Sequence, residues 1–146
     1  MLVRIQKLDP RARIPSRGSA QAAGYDLYAC LPAPELTIAP HTNCRVGTGL
    51  AIAVPEGYFG AIFARSGLAA KQGLRPANCV GVADSDYRGE YMVALYNDSD
   101  EPRTVHDGDR IAQLVVLPYL NIEFEEAEAL EDTARGAGGF GSTGVQ

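Results

Sequence analysis

The sequence predicts an all-β fold, an antiparallel sandwich or barrel carrying one short helix. Three observations lead there. Short apolar runs alternate inward and outward along the chain. Turn-forming clusters separate them, drawn from 16 Gly and 9 Pro in 146 residues. No long stretch shows the periodicity of an amphipathic helix. The length fits one domain able to bury a core.

Taken in order, residues 3–7 form the first candidate strand. Residues 45–54, R-V-G-T-G-L-A-I-A-V, show the clearest pattern. Val46, Thr48, Leu50, Ile52 and Val54 share one face and mostly small residues the other, as in a half-buried strand. Residues 59–64, 79–83, 91–96 and 111–117 complete the set. Pro55-Glu56-Gly57, Asn97-Asp98-Ser99-Asp100 and His106-Asp107-Gly108-Asp109 supply turns. Between the third and fourth candidates, Ser66 caps a short helix over 68–72 and Gly73 ends it. Runs 91–96 and 111–117 are apolar on both faces. That suits the central strand of a compact barrel and contact with another subunit equally well. The tail, 131–146, is rich in Gly and small polar residues and reads as mobile without ligand.

Composition excludes several function classes. Hydrophobic residues make up 46% and charged residues 21%, which argues against global disorder. Thirteen Lys+Arg against 18 Asp+Glu leave a net charge of −5, which opposes a binder that neutralises many nucleic-acid phosphates. No apolar run approaches the ~20 residues that span a bilayer, and residues 1–15 lack a signal peptide's apolar block. Cys30, Cys44 and Cys79 are odd in number and widely spaced, so a reducing compartment, the cytoplasm, is expected. His41 and His106 have no neighbours at metal-ligand spacing and read as surface residues.

Four segments could carry chemistry. Arg65-Ser66-Gly67 places a planar cation, a helix start and an open backbone together, which suits a phosphate. On its own it is better read as a helix cap beside a surface arginine. In Gly81 to Glu90, Asp84 and Asp86 face the same way if the chain is extended, so one could orient a water as general base or both could hold a metal. Tyr87 offers a flat face for a sugar or base. Asp-Ser-Asp is also ordinary turn composition, and alone that reading prevails. Gln113, inside an apolar strand, must find a partner, either backbone or a catalytic water. In the tail, Arg135, Ser142 and Thr143 among glycines could wrap a phosphate, and Phe140 could stack on a planar ligand. No Ser-His-Asp or Cys-His arrangement stands out.

Together with Ala23-Gly24-Tyr25-Asp26-Leu27-Tyr28-Ala29 and Asp109-Arg110-Ile111-Ala112-Gln113-Leu114, these segments follow one another in an order that closely resembles the trimeric dUTP diphosphatases (dUTPases), across nearly the whole chain. The resemblance implies a distorted jelly roll over 1–130. It also implies a homotrimer with three sites between subunits, and an arm, 131–146, that closes over a neighbour's site. The implied reaction is hydrolysis of dUTP to dUMP and pyrophosphate with Mg²⁺ on the triphosphate, with no nucleic-acid or membrane partner. By motif position, Asp84 matches the general base and Gln113 the residue that helps hold the attacking water. Tyr87 matches the tyrosine under the deoxyribose. Asn78 and the backbone after it match the uracil-reading element, with Gly81, Val82 and Met92 among the substrate-binding positions. Arg65, Ser66 and Gly67 match phosphate contacts, and Asp26 matches the acidic residue near the metal's water shell. Arg135, Ser142 and Thr143 match γ-phosphate contacts. Phe140 matches the aromatic that stacks on uracil, with Gly141 beside it. A dCTP deaminase shares the fold but needs a Glu where Asp84 stands.

Two positions depart from the family pattern. Ala64 stands where Pro often precedes Arg-Ser-Gly. Ala83 stands where a branched aliphatic usually precedes the catalytic Asp. If buried, so small a side chain should leave a gap worth roughly 2–5 kcal/mol. An Ala83→Ile variant is then expected to be more stable or more active.

Overall fold

The structure is a computed structural model and describes residues 1–139. Eleven strands and one helix appear among the described residues. In chain order they are β1 (Arg4–Lys7), β2 (Tyr25–Tyr28), β3 (Glu35–Ile38), β4 (Asn43–Gly47), β5 (Leu50–Ala53) and β6 (Tyr58–Phe63). Then come α1 (Ser66–Gln72), β7 (Leu74–Pro76), β8 (Gly81–Ala83), β9 (Met92–Asn97), β10 (Arg103–His106) and β11 (Arg110–Pro118). The ladders are antiparallel and run β1-β5, β10-β3, β2-β11-β6-β8 and β4-β9-β7. The result is a distorted jelly roll whose sheets enclose one apolar core.

The alternating run at 45–54 keeps its inward face throughout: Val46, Thr48, Leu50, Ile52 and Val54 are all buried. It is two strands rather than one. β4 pairs with β9 and β5 with β1, so the chain changes sheet at Thr48-Gly49. Gly49 has φ +66, and a Cβ there would lie 2.9 Å from that of Ala12, so the corner requires glycine. Glu90 fastens it, its Oε1 accepting from the Gly49 N–H at 2.8 Å. Thr48 Oγ1 donates to the Tyr91 carbonyl at 2.7 Å, which satisfies a fully buried hydroxyl.

The helix forms where expected, with Gly73 in the left-handed conformation at its end. Its start differs. Arg65, extended at φ −84 and ψ 125, is the N-cap, and no side chain caps the first turn. Ser66 is already inside the helix, so its hydroxyl is not tied to the backbone below it.

Both two-faced runs are internal strands. β9 lies between β4 and β7, and β11 between β2 and β6. Tyr91, just before β9, and Val93 and Leu95 on it point into the core, while Met92 stays 43% exposed. Strands β2, β3, β7 and β10 lack an apolar alternation long enough to see in the sequence. Each is three or four residues long and is held by its partner's ladder. The core gathers Leu27, Ile38, Leu50, Leu74, Leu95 and Ile111, each almost fully buried. Each contributes about 1.5–3 kcal/mol relative to exposure. After β11 ends at Pro118, no strand or helix follows among residues 119–139. No helix among the described residues is long and apolar enough to cross a membrane.

Candidate active site

Two groups of side chains stand apart on the four-stranded sheet. The first lies where β2, β11 and the start of α1 meet. Asp26 and Gln113 are cross-strand neighbours. The Asp26 side chain is only 15% exposed, and its two oxygens accept from Arg65 Nε at 2.9 Å and Arg110 Nη1 at 3.3 Å. Arg65 Nη1 donates to the Arg110 carbonyl at 3.4 Å. Gln113 Nε2 donates to the Ala64 carbonyl at 2.8 Å. Its Oε1 lies against Gly24, where any Cβ would collide with it. The partner of this half-buried amide is therefore backbone on one side, while Oε1 accepts no hydrogen bond from the described residues. Ser66 and Gly67 are exposed beside it, and nothing lies within 4 Å of where a Gly67 Cβ would stand. Uncapped first-turn N–H groups, an arginine and open space together can receive an anion.

The second group follows β8. Here the chain is not extended as Asp84 and Asp86 would need in order to face the same way. The Tyr87 N–H donates to the Asp84 carbonyl at 3.2 Å, closing a turn. Arg88 clamps that turn by donating from Nη1 to the Ser85 carbonyl at 2.7 Å and the Tyr87 carbonyl at 2.9 Å. Asp84 and Asp86 are exposed and line a cleft of about 860 Å³ with Arg4, Glu56, Arg88 and Tyr119. Tyr87 Oη donates to the Glu90 carbonyl at 3.0 Å, and its ring lies 6.0 Å from that of Tyr91. Tyr87 stays 45% exposed.

Asn78 is exposed in the turn between β7 and β8, strands that belong to different sheets and do not pair with each other. The Asn78 carbonyl accepts from the Val80 N–H at 2.6 Å, and Cys79 takes φ +62. Asn78 Nδ2 lies 3.6 Å from where a Gly81 Cβ would stand. Gly81 itself is buried against Ile62, while Val82 is 65% exposed on the outer side.

The chain does not bring Asp84 to Gln113. Gln113 pairs with Phe63 on β6, whereas Ala83, next to Asp84, pairs with Gly60 on the other side of that strand. Four residues at about 3.3 Å each and two interstrand steps of about 4.8 Å put them roughly 16 Å apart. Arg135 joins neither group, since its Nε donates to the Gly138 carbonyl at 2.9 Å within its own exposed turn. Phe140, Gly141, Ser142 and Thr143 lie outside the described residues.

Sequence reasoning missed the supporting roles of Arg110, Gly24 and Gly89. Arg110 stands in a segment the sequence singled out, but only the β2–β11 ladder shows that it shares Asp26. Gly24 and Gly89 leave room for the side chains of Gln113 and Tyr87 respectively, a need visible only once those side chains are placed.

Comparison with known proteins gives one answer. The dUTPase family model matches residues 10–144. The chain is 54% identical over 138 residues to a deoxyuridine 5'-triphosphate nucleotidohydrolase of Desulfitobacterium hafniense, covering 94% of this chain and 91% of that one. It is 49% identical over 141 residues to a probable deoxyuridine 5'-triphosphate nucleotidohydrolase of Schizosaccharomyces pombe, covering 97% of each. A dUTPase of Staphylococcus bacteriophage 80alpha, solved with dUpNHpp, superposes with a TM-score of 0.88 at 28% identity over 99% of both chains. A dUTPase from phage phi11 of S. aureus, solved to detail the coordination of a structural Mg(II) ion, superposes at 0.77 and 26% identity, covering 90% of this chain and 100% of that one.

Proposed function

This chain belongs to the dUTPase family and is a dUTP-hydrolysing enzyme, and from that premise we propose that it cleaves dUTP to dUMP and pyrophosphate in sites shared between the subunits of a homotrimer. The observation that carries the shared site is the separation of its halves. Arg65, Ser66, Gly67 and Gln113 make a phosphate half; Asn78, Gly81, Val82, Asp84, Tyr87 and Met92 make a nucleoside half. One nucleotide cannot touch Asp84 and Gln113 of the same chain across about 16 Å while both hold one water. A second copy supplies the missing half.

Within such a site, Asp84 accepts the proton of a water that attacks the α-phosphorus, and pyrophosphate leaves. Gln113 Oε1, which no donor among the described residues reaches, accepts a hydrogen bond from that water and orients it. Arg65 and the first N–H groups of α1 neutralise the phosphates. No protein nucleophile is needed, because phosphoryl transfer depends on positioning and charge. Tyr87 lies under the deoxyribose and leaves no room for a 2′-hydroxyl.

Mg²⁺ fits this arrangement as an ion held mainly by the triphosphate. No group of three or more His, Cys, Asp or Glu among the described residues forms a metal cage. Asp26 has both oxygens on arginines yet keeps spare lone pairs and some exposure, which suits contact through a metal-bound water. When bound, Mg²⁺ withdraws charge from the phosphate oxygens.

Exposed apolar surface supports the trimer. Leu120, Ile122 and Phe124 alternate with polar residues and are 86%, 59% and 93% exposed. A groove of about 490 Å³ is lined by Val3, Ile5, Ile14, Tyr25, Leu114 and Val116, with Ile14 50% and Tyr25 39% exposed. We assign 131–146, with Arg135, Phe140, Gly141, Ser142 and Thr143, to an arm that closes over a neighbour's site. We assign the enzyme to the cytoplasm, where it limits uracil entry into DNA and supplies dUMP for dTMP synthesis; the free cysteines support a reducing compartment.

The test is subunit mixing. Asp84→Asn and Arg65→Ala variants, each inactive alone, are refolded together at equal ratio. If one subunit supplies Asp84 and another Arg65, random trimers regain about a quarter of wild-type pyrophosphate release, the chance that both positions are intact at one interface. No recovery refutes the shared site. Full activity of Asp84→Asn refutes the base.

A further inference from the structure

Ala83 Cβ and Tyr91 Oη both border the place a Gly60 side chain would take, in the layer beneath the Asp84 turn. Ala83 is 7% exposed and pairs across the ladder with Gly60. Two minimal side chains thus face each other on a buried surface. The space is filled by Tyr91, which is 2% exposed. The point where a Gly60 Cβ would stand lies 3.3 Å from Tyr91 Oη and 3.4 Å from Ala83 Cβ, with Leu114 Cδ1 at 3.0 Å.

The phenol cannot easily withdraw. Its backbone is held at both ends, the N–H donating to the Leu50 carbonyl at 2.8 Å and the carbonyl accepting from Thr48 Oγ1 at 2.7 Å. Its ring packs at 6.0 Å against Tyr87, the last residue of the turn. Tyr91 Oη is fully buried and has no hydrogen-bond partner among the described residues. A hydroxyl held there without a partner is unfavourable, and phenylalanine would avoid that cost. What the hydroxyl adds is reach: it extends the ring to the Gly60–Ala83 pair.

We infer that Tyr91 is a positioning residue, size-matched to Ala83, whose phenol end replaces a larger side chain at position 83 and sets the height of the turn carrying Asp84 and Tyr87. The gap expected from the sequence at Ala83 is therefore occupied by the residue just before β9, and the expected benefit of Ala83→Ile reverses. An isoleucine there meets Tyr91 Oη and the Gly60 backbone, and the cheapest relief is to lift the Asp84 turn. The link to turnover rests on Asp84 acting as base; the packing match does not.

A double-variant cycle tests this in the full-length enzyme. Ala83→Ile lowers the melting temperature by about 5 °C and Tyr91→Val by a similar amount, whereas the double variant returns to within about 2 °C of the parent. Ala83→Ile also lowers kcat for dUTP about tenfold with KM changed less than about twofold, as displacement of a base demands. Ala83→Val replaces isoleucine in the same cycle if Ala83→Ile does not fold. Additive losses in the double variant overturn the match. A destabilised Ala83→Ile enzyme with unchanged kcat overturns the positioning role. Full turnover of Asp84→Asn sinks the base assignment but leaves the melting-temperature coupling standing, so the two failures are distinguishable.

Discussion

Gly89 offers the sharpest probe of how the nucleoside half selects its sugar. A Cβ at Gly89 would collide with Tyr87 Oη, and would lie 2.6 Å from Tyr87 Cζ and 3.0 Å from Cε2. Gly89 does not take a positive φ, so alanine suits its backbone. The obstacle is the outer end of a half-exposed side chain, so Tyr87 moves and the backbone stays. Moving it breaks the hydrogen bond to the Glu90 carbonyl, worth about 1 kcal/mol, and weakens the ring contact with Tyr91, worth about 0.5–1.5 kcal/mol. Part of this is recovered by exposure to water, leaving about 1–1.4 kcal/mol at the sugar, or roughly five- to tenfold. Gly89→Ala should therefore narrow the ratio of kcat/KM for dUTP over UTP by about five- to tenfold. The melting temperature should fall by about 2–6 °C. Pyrophosphate release with each nucleotide, beside a thermal melt, measures both. An unchanged ratio would refute the reasoning that Tyr87, held down by the absence of a Cβ at 89, excludes the 2′-hydroxyl.

Two further outcomes follow from charge and burial. Asp26→Asn removes the charge that Arg65 and Arg110 share, and should cost about 1–3 kcal/mol in urea unfolding and raise KM for dUTP as Arg65 loses its orientation; a variant equal to wild type in both would discount the cluster. Tyr91's hydroxyl is pushed up to about 12 by burial, with Arg88 opposing and Tyr87 and Asp84 reinforcing the rise. Because the folded value lies above the unfolded one, this contribution is whole below pH 10 and is lost as pH climbs through 12, a fall of up to about 2–3 kcal/mol. Tyr91→Phe should lack that fall in stability measured across pH 9–12, and an identical fall in the variant would place its origin elsewhere.

How far the sequence could be read depended on element length. The run from Val46 to Val54 declared its inward face because five inward residues recur at period two, and all five are buried. The same run hid its corner. A strand that changes sheet at Gly49 keeps its alternation, so only the ladders to β9 and β1 reveal two elements. Strands such as β7 and β10 place one or two side chains inward and leave no pattern to find; their existence is decided by the partner that pairs with them. Ser66 resembled a cap by residue type, yet Arg65 took that place because the chain leaves β6 extended through it.

The chemistry divides in the same way. By itself the sequence determined the strand-rich class, the helix with its glycine stop, and the five segments from Asp26 to the tail, because these depend on residue type and local order. Tertiary structure alone decided that Arg65 and Arg110 share Asp26, that no donor among the described residues reaches Gln113 Oε1, that Asp84 and Gln113 stand on opposite sides of β6, and that Tyr91 Oη reaches the Gly60–Ala83 pair. Each of these joins residues far apart in the chain. Their distances are set by strand pairing and packing, which no local pattern encodes.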